Sequence, residues 1–310
     1  MAKIVARDVK AARRMALRAA PEAVIVPEKR SVLRGVREAF SQLRLLPWLG
    51  SRVVTRMFAR AKLGRAWLVI RPLMDTFGKA LIYGGILSAP TSNGVPYFIF
   101  LTVGMMGWML FQRSLTFSVR SLRFYRRMIK EMDFPLVLVP VAAGALGAVE
   151  FGFYTLILAG ALTYYWFANG VMYLNVGPEF LLGVLGVLGC LMFAWALGFW
   201  LSVLNAKAED VRMSLRYVLG FWLYLTPIIY PLSAIPPKYQ TIAALNPMAP
   251  WIEMVKTGFL GAGEIRLMPL ASSIGVMVVV GASGLWFFNR EARRSANMDD
   301  AFMDDDEDEL

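Results

Sequence analysis

The chain of 310 residues contains no histidine and a single cysteine, Cys190. Without histidine it cannot build a Ser-His-Asp triad, histidine acid–base catalysis or a histidine-ligated metal site. One cysteine inside an apolar run also excludes intrachain disulfides and a cysteine-built metal site. The sequence GxxxxGK followed by Ser or Thr does not occur, so hydrolysis of ATP by a P-loop of this chain is excluded.

Acidic residues are scarce in the first 65 positions, which hold 16 Lys or Arg against four Asp or Glu. The chain as a whole has a net charge of +11. Because the basic residues cluster before the first apolar run and are not spread over a soluble domain, we predict that anionic membrane lipid is their partner and that nucleic acid is not.

Long apolar runs determine the predicted fold class. The chain is 57% hydrophobic, and its runs reach the roughly 20 residues that a helix needs to cross a bilayer. We predict an all-α polytopic membrane protein with six transmembrane helices. The predicted spans are 66–87, 96–119, 135–167, 179–204, 215–232 and 267–288.

The third apolar run is too long for one simple span. As one helix, residues 135–167 would measure about 50 Å, against a hydrocarbon core of about 30 Å. The run therefore either projects from the membrane or breaks near one of three glycines, Gly144, Gly147 or Gly152.

Charge and helical spacing define the segments outside the spans. Residues 1–30 are rich in Ala and Arg and contain two prolines, which predicts a flexible cytoplasmic arm. Over 31–65, apolar residues recur at helical spacing opposite arginines, which predicts an interfacial amphipathic region. The transmembrane domain occupies 66–288, and 289–310 form an acidic cytoplasmic tail.

A basic segment, residues 120–134, separates the second and third predicted spans. Leu122, Tyr125 and Met128 recur three apart opposite several arginines. This pattern predicts an amphipathic helix that lies flat at the cytoplasmic surface of the membrane.

Residues 233–266, between the fifth and sixth predicted spans, contain four prolines that delimit two short helical pieces. The pieces, 238–245 and 251–260, are too short to cross a bilayer and too apolar to lie free in water. A re-entrant helix pair satisfies their backbone groups at membrane depth, so we predict one here.

The basic residues predict the orientation of the chain. The predicted inside segments hold 16, five, three and three Lys or Arg, whereas the outside loops hold none, none and three. By the positive-inside rule, both termini are cytoplasmic.

Several charged residues fall inside predicted spans. Asp75 is four residues from both Arg71 and Lys79, so the three share one helix face. They either line a conduit for an anionic or hydroxylated substrate or form an intrahelical pair near the cytoplasmic end. Glu150 is the only charge in its run, and a proton relay, a substrate contact and a structural bond, with Arg113 as a candidate partner, all stay open.

Aromatic residues are dense, and most of them are expected in interface belts and helix packing. Four of them, Tyr154, Tyr164, Tyr165 and Trp166, suggest a further hypothesis. Aromatic faces stack on the apolar faces of sugar rings, so this group could guide a glycan along the pathway.

The final residues include Asp304, Asp305 and Asp306, which formally match a glycosyltransferase metal signature. In an acidic run at the end of the sequence, a solvated tail is the preferred interpretation. A membrane-embedded glycan-processing enzyme would need an acid cluster of this kind, so that class stays an alternative.

Four stretches resemble the ABC-2 type permeases that export polysaccharides such as O-antigen, teichoic acid and capsule. They are LGRAWLVIRPL at 63–73, the basic linker ending in Asp-Phe-Pro, LTPIIYP at 225–231 and LNPM at 245–248. The resemblance extends over roughly residues 30–290.

The resemblance implies a non-catalytic half-transporter: a homodimer of six-span subunits, each docked on a cytoplasmic P-loop ATPase that binds ATP and Mg²⁺, so that this chain itself holds no cofactor. It implies that an N-terminal interfacial helix, 31–46, frames a lateral gate and that the re-entrant helices cap the exit. The implied ATPase-coupling residues are Arg123, Arg126, Arg127, Lys130, Glu131 and Asp133. The implied exit residues are Pro227, Tyr230, Pro231, Asn246 and Pro247.

The expected function is therefore export of a lipid-linked polysaccharide or related glycopolymer across the bacterial inner membrane by the permease subunit of an ATP-driven exporter. An ABC-2 exporter of a drug or small lipid is the alternative with the same architecture.

Overall fold

The computed structural model of the chain describes residues 66–131 and 135–308. The predicted arm over 1–30, the interfacial region over 31–65 and the coupling residue Asp133 lie outside these ranges. Within them, all regular secondary structure is helical and no strand occurs, which confirms the all-α class for this part of the chain.

Ten α-helices, a π-helical segment and a 3-10 turn follow one another along the described residues. The α-helices are α1 Trp67–Lys79, α2 Tyr97–Phe124, α3 Arg126–Glu131, α4 Leu138–Gly144, α5 Gly147–Asn169, α6 Phe180–Lys207, α7 Asp210–Leu225, α8 Pro237–Ala244, α9 Ala249–Leu260 and α10 Leu267–Asp308. The π-helical segment Ala80–Ile86 continues α1, and the 3-10 turn Leu232–Ala234 follows α7.

Four stretches are long and apolar enough to cross a membrane by length and composition: Tyr97–Phe124, Leu138–Asn169, Phe180–Lys207 and Leu267–Ala292. The other two predicted spans correspond to shorter elements. The first combines α1 with the π-helical segment, and the fifth is α7, which has 16 residues.

Helix α2 is the centre of the packing. Its first half, residues 97–111, is apolar on all sides, as expected for a helix surrounded by others, and most residues of α2 are buried. Trp108 and Phe111 on α2 meet Trp222 of α7 edge-on, with ring centroids 6.0 and 5.5 Å apart. Phe111 also stacks on Phe193 of α6 at 5.7 Å, so one aromatic cluster joins three helices.

The long third run breaks between α4 and α5, at two of the glycines that the sequence indicated. A Cβ on Gly147 would lie 2.2 Å from Ser114 Oγ, and one on Gly144 would lie 2.5 Å from Ser118 Oγ. The backbone thus approaches α2 more closely than a side chain would allow. Ser118 Oγ also donates a hydrogen bond to the Pro140 carbonyl at 2.7 Å, which fixes α4 against α2.

Two predicted boundaries were wrong. Helix α2 continues to Phe124, past the expected end at 119, and the apolar residues of the basic segment, Leu122, Tyr125 and Met128, are buried within the protein. Helix α7 begins at Asp210, whose carboxylate suits a helix N-terminus, and ends at Leu225. It stops there because Thr226 precedes a proline and adopts an extended conformation.

Contacts between neighbouring helices show that the helix ends lie in two layers. At one end, Asn93 Nδ2 donates to the Gly261 carbonyl, and the Asn175 N–H donates to the Phe259 carbonyl at 2.8 Å. At the opposite end, Arg123 pairs with Glu209, and Lys207 pairs with Glu291 at 3.1 Å. Successive long helices run back and forth between these layers.

Candidate functional site

The first candidate region surrounds the short helix α9, which lies in a groove of α6 lined by glycine. Gly183, Gly186 and Gly189 are three apart and therefore share one face of α6. A Cβ on Gly189 would lie 2.0 Å from the Trp251 ring, and one on Gly258 would lie 1.9 Å from the Gly183 nitrogen. The two backbones are thus in direct contact, and α9 is buried along nearly its whole length.

Asn246 connects the Asn-Pro element to the Thr-Pro element. Its Oδ1 accepts from Trp222 Nε1 at 2.8 Å and from the Met248 N–H at 3.1 Å. Its Nδ2 donates to Thr226 Oγ1 at 2.9 Å. One amide side chain therefore joins the end of α7 to the start of α9, which gives a physical reason for an asparagine at this position.

The other predicted exit residues lie in the same region. The Tyr230 hydroxyl donates to the Tyr224 carbonyl at 2.7 Å, and Ser273 Oγ donates to the Pro247 carbonyl at 2.6 Å. Pro231 precedes the 3-10 turn, and the Pro227 carbonyl accepts from Lys256 Nζ. The structure thus brings all five predicted exit residues together.

The sequence analysis missed two residues of this region. Lys256 was counted among the outer-loop charges, but it and Glu253 lie on α9 and are buried. Their spacing of three within the apolar stretch WIEMVKTGFL is the signal that could have identified an ion pair on one helix face.

A second polar cluster lies between α1, α2 and α5. Asp75 pairs with Lys79 along α1, and Arg113 Nε lies 2.5 Å from Glu150 Oε2. The two carboxylates therefore each have a cationic partner, as the partial burial of charge requires. Arg71, by contrast, is exposed.

Tyr154 belongs to this polar cluster. Its hydroxyl lies close to that of Thr76 and within electrostatic range of Asp75, Glu150 and Arg113. Its side chain is 1% exposed, so the ring faces neighbouring helices within this chain.

The other predicted glycan-stacking residues form a separate aromatic group near the end of α5. Tyr164 meets Tyr165 edge-on at 5.3 Å, and Tyr165 meets Tyr173 at 6.0 Å. Tyr164 and Trp166 are exposed. The structure thus separates Tyr154 from the three residues with which the sequence analysis grouped it.

The predicted coupling segment coincides with the end of α2 and with α3. Arg123 forms an ion pair with Glu209, the residue before α7, and lowers the pKa of this carboxyl group through a hydrogen bond. Arg126 is partly buried, and Arg127, Lys130 and Glu131 belong to α3; the side chains of the last three are outside the described part. Glu209 was not predicted.

Among the side chains that the structure describes, no group of three or more Cys, Asp or Glu residues is close enough together to hold a metal ion.

Comparison with known proteins gives matches over most of the chain. The sequence profile of the ABC-2 type transporter family matches residues 44–260. An O-antigen export system permease protein RfbA of Klebsiella pneumoniae is 26% identical over 247 residues, 78% of this chain and 89% of the relative. The protein of the same name from Myxococcus xanthus is 24% identical over 266 residues, 84% of this chain and 98% of the relative.

A third relative has a less specific name. The inner membrane transport permease YadH of Escherichia coli K12 is 23% identical over 223 residues, which are 69% of this chain and 84% of the relative. These relatives are named as permeases, in agreement with the transmembrane helices and with a role in transport. Because the family profile matches well over half of the residues of this chain, the chain belongs to the ABC-2 type transporter family.

Proposed function

We propose that the chain is the transmembrane permease subunit of an ATP-driven exporter that moves a lipid-linked polysaccharide or related glycopolymer across the bacterial inner membrane. The observation that carries the proposal is the similarity to O-antigen export permeases over 89–98% of their own length. It extends over 78–84% of this chain.

The proposed topology has six spans. The four long stretches supply four of them. The first span is the combination of α1 with the π-helical segment, 20 residues in all, close to the length that a span requires. The fifth span along the chain is α7, about 24 Å long as a helix and extended by the turn at 226–231. The two layers of helix ends and the basic residues support cytoplasmic termini.

Helices α8 and α9 are proposed to form the re-entrant pair at the outer exit. They have 8 and 12 residues, too few to cross a bilayer. The groove of α6 supports this placement, because it gives α9 a buried environment in which its backbone groups are satisfied within the helix.

The cytoplasmic end of α2 together with α3 is proposed to dock on a P-loop ATPase. The Arg123–Glu209 pair supports the proposal, because it fastens this segment to the loop between α6 and α7. A displacement of α3 by the ATPase would then be transmitted to two spans at the same time. In this proposal ATP and Mg²⁺ bind to the ATPase, this chain holds no cofactor and does no catalysis, and a second copy of the chain completes the conduit.

The polar cluster of Asp75, Lys79 and Glu150 and the aromatic group of Tyr164, Tyr165 and Trp166 are proposed to follow the conduit. Paired charges favour the passage of hydroxylated groups, and exposed aromatic faces favour the passage of sugar rings. Residues 1–30, the interfacial region 31–65 and the acidic tail 289–310 are proposed to lie on the cytoplasmic side, where the basic residues meet anionic lipid.

Export of a small lipid or drug is the second candidate. The observation that favours it is the match to YadH, whose name refers to inner membrane transport and to no glycan. The two candidates differ in what accumulates inside cells that lack the chain: lipid-linked glycan in the first case, a small lipid or drug in the second.

Co-purification and a coupling variant test the proposal. A tagged chain solubilised from its native membrane should bring a soluble P-loop ATPase with it. Replacing Arg126→Glu and Arg127→Glu together should uncouple export from ATP hydrolysis while the chain still inserts in the membrane. The matched control is Arg290→Glu, an exposed arginine of α10. Unchanged export by the double variant would contradict the proposed coupling site.

A further inference from the structure

Lys256 is fully buried in the middle of α9, with 0% of its side chain exposed. A lysine is almost never buried completely unless its charge is paired. The surroundings of its ammonium group therefore indicate what the residue does.

Three different segments contact the Lys256 ammonium group. It donates to the Pro227 carbonyl in the turn after α7. It lies 4.1 Å from the centre of the Phe100 ring of α2, the geometry of a cation–π contact. Glu253 Oε1, one turn earlier on α9, is 3.6 Å away. Space for the side chain exists because Gly104 has no Cβ, which would lie 3.3 Å from Lys256 Cε.

Glu253 extends the connection to the linker between α9 and α10. Its side chain is 4% exposed, and its Oε2 accepts from the Glu264 N–H at 2.8 Å. The two charges together hold the exit turn, α9, the following linker and α2 in one arrangement.

Stability alone does not explain the pair. The free-energy cost of desolvating two charges can exceed the free energy gained from their attraction. Proteins with apolar residues of similar volume in place of a buried ion pair are often equally stable. Methionine would fill much of the volume of Lys256 and could pack against Phe100. What an apolar side chain lacks is the ability to leave the contact and be hydrated when the segments separate.

We propose that Lys256 and Glu253 are positioning residues that hold the turn around Pro227 closed against α9, and that this contact opens during each export cycle. The inference rests on the proposed function, since the exit is that of the exporter. Lys256 in the resting protein is enclosed, and in the open exit it reaches water.

Chemical modification of lysine tests the opening in the unaltered protein. Native membranes that contain the chain with its ATPase are treated briefly with a small amine-reactive reagent, with and without ATP, and modified lysines are identified by mass spectrometry. Lys238, which is exposed on α8 in the same region, is the internal control and should react equally in both conditions. Lys256 should be protected without ATP and react at least tenfold faster during hydrolysis.

Two results would overturn the proposal. In the first, Lys256 stays protected from the reagent while ATP hydrolysis is measured in the same sample. In the second, Lys256 reacts as fast as Lys238 without ATP. A failure of the proposed function looks different, because then no ATPase co-purifies and no glycan accumulates in cells that lack the chain.

A paired variant provides the second test. The combined change Glu253→Gln and Lys256→Met removes both charges and leaves the shape nearly intact, so the chain should still insert and keep its apparent melting temperature. Export should fall at least tenfold, whereas Lys238→Met should export normally. Wild-type export by the double variant would overturn the proposal. If the variant does not fold, the modification of native Lys256 decides.

Discussion

Asn246→Ala is the sharpest test of the arrangement at the end of α7. The change removes the acceptor for Trp222 Nε1 and the Met248 N–H, and it removes the donor to Thr226 Oγ1 and to the Leu225 carbonyl. A net value of about 1 kcal/mol for each of these four hydrogen bonds gives a loss of about 4 kcal/mol. For a chain of 310 residues, with an unfolding entropy of about 2.1 cal/mol/K per residue, that loss lowers the melting temperature by about 6 °C.

The assay is thermal unfolding of the purified protein in detergent, followed by tryptophan fluorescence at one fixed scan rate, since unfolding of such proteins is often irreversible. Asn289→Ala is the matched control, because the amide nitrogen of Asn289 has no hydrogen-bond partner among the residues that the structure describes. Asn246→Asp keeps an acceptor for Trp222 and should give an intermediate shift. If Asn246→Ala melted within 2 °C of the control, the amide would not be what joins the two elements.

Three further predictions concern other parts of the chain. Gly258→Ala forces a Cβ against the α6 backbone and should lower the free energy of unfolding by about 1–3 kcal/mol, measured in the same melting assay. The control Gly160→Ala, which has open space around its Cβ, should leave the melting temperature unchanged. Glu150→Gln leaves Arg113 without its carboxylate and should lower stability by about 1.5–3 kcal/mol; a melting temperature equal to wild type would mean that the pair is not structural. Truncation after Met298 should leave export intact, and loss of a glycan-processing activity on truncation would instead favour an enzyme.

Much of the fold could be predicted from the sequence because the bilayer limits what an apolar run can do. Run length indicates which stretches can cross a bilayer, and four of the predicted spans are long and apolar enough to do so. The glycines at 144 and 147 indicated the break in the third run. The asparagine–proline and threonine–proline elements were grouped as one region on the resemblance to polysaccharide export permeases, and the hydrogen bonds of Asn246 show that the two elements meet.

Other features depend on which helices become neighbours, which spacing does not reveal. Tyr154 was grouped with the exposed aromatic residues because all of them lie on one helix, yet the contacts of α1 and α2 bury it. Lys256 was counted as an outer-loop charge because its partners, Pro227 and Phe100, are far away in the sequence. Glu209 pairs with Arg123 from another helix, so its role also emerged only from the packing.

The central claim is that this chain exports a lipid-linked glycan together with a separate ATPase. The most direct measurement is transport into proteoliposomes that contain the purified chain and the co-purifying ATPase, with the lipid-linked glycan supplied on the ATPase side. The account predicts ATP-dependent movement of the glycan to the opposite leaflet, and no movement when either protein is omitted. Movement without ATP, or ATP hydrolysis with no movement of glycan, would contradict it.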